Sequence, residues 1–221
     1  MAIGTPVHVT RQGGSGALLT SPGLGITPPA LDLLLVGVSR FSASGLPGIP
    51  AISGGTGVSW AQVFTQPLDL GSGNRMRLSL WAAQVPDPAP ATFFVTCTNP
   101  DSGPRTAFHV VRIPGASAAI TNFAVDDDAN GDPSATLPAS IGPASISFAF
   151  AGWPGTTAVD PPATGFTELN EFIQADQVSQ TSYHLTPQNS AAWTTANNAN
   201  SLGAIVEIPP LGRTRIAAVW F

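Results

Sequence analysis

Short strand-like segments, each closed by Gly, Pro, Asn or Asp, run through this chain twice in a similar order, and that doubled rhythm restricts the fold more than any other feature. In the first half the segments cover residues 32–41, 58–65, 75–85, 92–98 and 106–113. In the second they cover 145–151, 166–175, 181–186, 191–196 and 203–208, with a last one at 213–221. Thr56-Gly57-Val58-Ser59 and Thr164-Gly165-Phe166-Thr167 form the best local match between the halves. Alternation is clearest where Met76, Leu78, Leu80 and Ala82 face one way and Arg75, Arg77, Ser79 and Trp81 the other. Ile146, Phe148 and Phe150 repeat the rule, as do Ala204, Val206 and Ile208. Residues 32–41 are apolar on both faces, as expected of a central strand covered on both sides. Leu169, Phe172 and Ile173 fit either a strand or a short helix.

A long amphipathic helix is absent, and 22 prolines in 221 residues favour many turns. The expected fold is all-β, an antiparallel β-sandwich of jelly-roll type with about ten strands in two similar five-strand halves. The halves are expected as residues 26–125 and 133–221 of a single domain at 26–221, joined by the acidic loop 126–132. Residues 1–25, rich in Thr, Gly, Ser and Pro, read as an extended arm or a frayed terminus.

Only 10% of residues are charged and lysine is missing, against a usual charged fraction of about 25%. Because sheets commonly guard their edges with charge, this composition suggests edges that are hidden or covered by neighbours in an oligomer; a genome that replaces Lys with Arg accounts for the missing lysine alone. A net charge of −5 argues against nucleic-acid binding, which needs a basic stripe. No apolar run reaches the roughly 20 residues of a membrane-spanning helix, and residues 1–10 lack the pattern of a signal peptide. Cys97 is alone and reads as a core thiol between Val95 and the turn that follows.

No catalytic cluster is legible, and the expectation is a protein that is not an enzyme and needs no cofactor. His8, His109 and His184 lack zinc-site spacing, and neither a nucleophile elbow nor a phosphate-binding loop is present. Glu168 and Glu171 would share a face on a helix and point oppositely on a regular strand. Asp126, Asp128, Asn130 and Asp132, with Gly131 between the last two, match the first half of a calcium loop, but Leu137 stands where its bidentate Glu belongs. The two readings are a calcium site completed from elsewhere and an acidic surface turn. Trp81, on the face of Arg75 and Arg77, and Phe94 form a candidate ligand or partner surface, suited to stacking a host-surface glycan or anchoring a protein. The alternative is that a second layer covers that face.

The runs Val58-Ser59-Trp60-Ala61-Gln62-Val63, Arg75 to Ala82, Phe93-Phe94-Val95-Thr96 and Ala107-Phe108-His109-Val110-Val111 resemble the jelly-roll or lectin-like β-sandwich domains of tailed-bacteriophage virion proteins, over about residues 31–208. The resemblance implies a non-enzymatic structural protein of the virion, assembled in the host cytoplasm. It would be a minor tail or tail-tip component, or a capsid decoration protein, with other virion proteins as partners.

Overall fold

The computed structural model describes residues 2–21, 25–69, 75–128, 132–155, 162–174, 177–194 and 201–212. Fifteen antiparallel strands and no helix occur among them. The first half contains β1 (Val7–Gly14), β2 (Leu18–Thr20), β3 (Leu33–Ser42), β4 (Ala51–Ser53), β5 (Ala61–Asp69), β6 (Arg75–Gln84), β7 (Thr96–Thr98) and β8 (Arg105–Ile113). The second contains β9 (Phe123–Asp128), β10 (Ser134–Thr136), β11 (Ile146–Pro154), β12 (Thr167–Gln174), β13 (Gln177–His184), β14 (Ser190–Ala192) and β15 (Ser201–Ile208). The segment expected at 213–221 lies outside the described residues.

Two five-stranded sheets, β1-β8-β3-β6-β5 and β12-β13-β11-β15-β9, pack face to face, one from each half. Their pairing is nested: β1 with β8, β2 with β7 and β3 with β6 in the first half, and β9 with β15, β10 with β14 and β11 with β13 in the second. Apart from β4, each strand of the first half has a counterpart of the same order and neighbours in the second. The Thr-Gly match falls in the turns that lead into β5 and β12. There Gly57 (φ 78°) and Gly165 (φ 83°) take the left-handed conformation that glycine tolerates best. Backbone bonds from Val58 to Gly55 and from Phe166 to Ala163 close the two turns alike.

Alternating side chains explain the layering. Leu33, Leu35 and Phe41 of β3 meet Ile146, Phe148 and Phe150 of β11 in the central core, where β6 adds Met76, Leu78 and Leu80, and β15 adds Leu202, Ala204 and Val206. Each buried Leu or Phe contributes about 1.5–3 kcal/mol. On the opposite face of the first sheet, Leu34, Val36, Val38, Phe108 and Val110 are covered by Leu19, Ile52 and Cys97 from a three-stranded sheet, β2-β7-β4. On the far side of the second sheet, Ala149, Ala151, Trp153 and Ile205 are covered by Ala135, Ala191 and Trp193, carried by or beside the two-stranded sheet β10-β14. The molecule is therefore four layers deep. All ten residues of β3 are buried, as a doubly covered central strand requires.

Two features differ from the sequence reading. Within the stretch expected as an arm, residues 7–14 and 18–20 are built into sheets: β1 is an edge strand of the main sheet and β2 belongs to the covering layer. The joint between the halves is 114–122, ahead of the acidic run, and Asp126, Asp127 and Asp128 lie within β9. That joint is held by antiparallel bridging of Ala116 with Pro210, and by Glu207, which accepts hydrogen bonds from Asn122 and the Gly142 amide. Of the two readings of residues 167–174, the strand is the one observed. A bulge leaves Leu169 unpaired between Glu168 and Asn170, and this extra residue imitates helical spacing.

Arg40 lies within the apolar run of β3 yet is fully buried. Its guanidinium donates to Thr106 Oγ1, the Gly48 carbonyl and Asp101 Oδ1, the last at 2.7 Å, and so ties together the loops that follow β3 and β7. Arg40 is the buried partner, while Asp101 keeps 37% of its side chain exposed, so removing Asp101 leaves a buried charge that water can only partly reach. Asp101→Ala should therefore cost about 1–3 kcal/mol in urea unfolding, and a loss near zero would show that the carbonyl acceptors suffice.

The sheets approach closely at Gly37, where an added Cβ would lie 3.0–3.1 Å from three ring atoms of Phe150. Gly37→Ala should destabilise the protein by about 1–3 kcal/mol through overpacking, and adding Phe150→Leu should recover part of that loss. Strictly additive costs in the double variant would argue against steric coupling at this pair.

Candidate functional site

Arg75, Arg77 and Trp81 share one face of β6, as alternation requires, but that face points toward the covering layer. Trp81 is half-buried with Trp60 and Phe93 against the Leu34, Val36 and Val85 cluster. Arg77 is buried and donates to the Pro47 carbonyl and Thr65 Oγ1. Arg75 pairs with Asp69 at 2.9 Å. Phe94 is the member of the predicted surface that is exposed, at 46%. The four residues therefore do not make one outward surface, and of the two readings the covering layer is the one observed for Trp81.

The acidic run has local duties. Asp126 Oδ2 accepts the Ser134 amide at 2.7 Å and Asp128 Oδ1 the Asp132 amide at 3.4 Å, so both carboxylates shape the passage from β9 to β10. Asn130 lies outside the described residues. Among the described residues no group of three or more His, Cys, Asp or Glu is placed to hold a metal ion. Glu168 and Glu171 stand opposite Ser182 and Gln180, so the bulge at Leu169 returns them to one face of β12.

The densest polar cluster was not legible in the sequence, because its members come from different sheets. His109 on β8 and Ser179 on β13 are both fully buried, with Nε2 and Oγ 2.7 Å apart across the sandwich. Beside them Gln177 donates to Ser39 Oγ at 2.6 Å. The His8 ring meets His109 edge-on at 6.0 Å, and Phe150 and Phe172 close the other sides. At the rim, Arg11 of β1 donates to Asn170 Oδ1 and the Glu171 carbonyl of β12 and lies 5.1 Å over the Phe172 ring. A Ser-His pair can activate a nucleophile only where a substrate reaches it and a third group orients the base. His109 Nδ1 makes no hydrogen bond and both side chains are sealed, so this pair fastens one sheet to the other.

Burial, followed by the charges of His8 and Arg11, pushes the His109 pKa down to about 3. Burial and then Arg11 also lower His8. An imidazole with a depressed folded pKa supports the fold fully above its unfolded value of about 6.5 and loses that support as pH falls toward the folded value. In urea unfolding from pH 7 to 4, wild type should lose up to about 1.4 kcal/mol per pH unit more than His109→Gln. Parallel curves would rule out His109 as the source. Cys97 is buried as expected, and burial raises its thiol to about 12.

The described residues contain no helix long and apolar enough to cross a membrane. No protein-family model matches the chain, and no significant match exists among curated proteins or solved structures.

Proposed function

We propose that this chain is a non-enzymatic structural protein of a tailed-phage particle, a tail or tail-tip component that acts through protein-protein contacts. The nested pairing in each half is read as a jelly roll, an architecture that recurs in viral capsid and lectin domains. The observation that carries the reading is the chemistry of the two covering layers. Their outward rows, Leu18, Thr98 and Ala51 on one and Ser134, Thr136, Ser190 and Ala192 on the other, are uncharged and, apart from Leu18, small. Leu18 is 61% exposed. Such faces desolvate cheaply and suit subunit contacts better than free solution.

Capsid decoration would use the same faces. A glycan-binding role would have to rest on Phe94, since Trp81 is packed under the covering layer. Light scattering over a wide concentration range tests the main reading. Wild type should self-associate or bind isolated tail components, and Leu18→Asp with Thr98→Asp should weaken this at least tenfold without lowering the melting temperature. A monomer at the highest concentrations that ignores virion components, or antibodies that fail to label purified particles, would overturn it.

A further inference from the structure

A cleft of about 210 Å³ opens at the β1 edge of the first sheet, lined by Val7, Val9, Ile26, Pro28 and Leu34, with Thr27 and Arg112 as its polar groups. Irregular features converge on it. The bulge in β1 falls between His8 and Thr10, so Val9, which lines the cleft, is the extra residue. Bulges of this kind commonly re-aim a side chain beside a site. Leu31, directly before Asp32, holds φ at 65°, a conformation that costs a non-glycine residue energy and concentrates at ligand sites.

The polar end is only partly paired. Arg112 Nε is buried and forms an ion pair with Asp32 Oδ2 at 3.4 Å, without an aligned hydrogen bond. A guanidinium offers five donors in a planar fork, and 31% of this side chain remains exposed. Val7, across the register from Arg112, is 42% exposed at the same place. An apolar wall ending in an incompletely paired guanidinium is complementary to a molecule with a short hydrocarbon body and an anionic head.

The geometry points to a ligand site in this cleft for a small amphipathic acid, its hydrocarbon against Val9, Ile26 and Leu34 and its carboxylate accepting from Arg112. The volume exceeds the roughly 150 Å³ cavity that accepts benzene, so a six-carbon chain is a fitting probe. This site is separate from the outward faces of the covering layers and stands whether or not the chain assembles.

Hexanoate and 1-hexanol, titrated into the full chain and followed by amide chemical shifts, decide the matter. Hexanoate should give saturable shifts centred on Val7, Val9, Ile26, Leu34 and Arg112, with a dissociation constant at least tenfold below that of hexanol. Arg112→Gln should abolish that preference. Val9→Trp should block both ligands while leaving the melting temperature near wild type, and it keeps the test decisive if Arg112→Gln folds poorly. No saturable shift up to about 10 mM hexanoate, equal binding of the alcohol, or shifts centred elsewhere would overturn the assignment.

Discussion

The stacking of β3 on β11 is the contact on which the rest of the structure depends. Each is the middle strand of its sheet, and each has the same partners on either side within its own half. Gly37 of β3 takes in the Phe150 ring, and Gly152 of β11 stands against Ser39. From that axis outward, β8 lies over β13, β6 over β15 and β1 over β12. The stacked Phe64 and Phe123 rings bring β5 to β9. Exchanging the halves converts each of these pairings into another of the set, as in a two-fold homodimer whose partners meet through one shared face.

The symmetry of the backbone is not followed by the side chains. On the β6 and β15 side the interface is Leu78, Leu80, Ala204 and Val206, held by area removed from water. On the β8 and β13 side it is His109, Ser179, Gln177 and Thr181, held by directed bonds that leave some donors and acceptors unmatched. The four sheet edges are blunted locally: β1, β5 and β12 each carry a bulge, β5 also contains Pro67, and β9 ends in three aspartates. These devices answer the scarcity of charge without requiring a neighbour at the edge.

Most strands legible in the sequence were those with room for alternation. Residues 32–41, 58–65, 75–85, 92–98 and 106–113 correspond to β3, β5, β6, β7 and β8, and their repeats to β11 through β15, so the doubled rhythm was the true connectivity with its opening strands missing. Strands β2, β4 and β10 escaped because each is three residues long with a single buried side chain; β7 and β14 are no longer, and were reached only as parts of the runs 92–98 and 191–196. β1 escaped because none of its residues is fully buried, so it shows no clean contrast of inside and outside. β9 was hidden by its carboxylates, which resemble a loop until Ser201 and Gly203 are seen pairing with Asp128 and Asp126. The same limit applied to the sites. Alternation correctly grouped Trp81 with Arg75 and Arg77 but carries no information on what lies above a face, and His109 meets Ser179 only through tertiary packing.

The joint at 114–122 has a further consequence. Two separate copies meeting through this face would fall apart on dilution, and any residue placed on one would recur on the other. Joined end to end, the halves meet at an effective concentration set by a short tether, which for short flexible linkers is in the millimolar range. Their union then does not depend on how much protein is present. Freed from self-complementarity, one flank of the interface could acquire an imidazole and amides while the opposite flank stayed hydrocarbon.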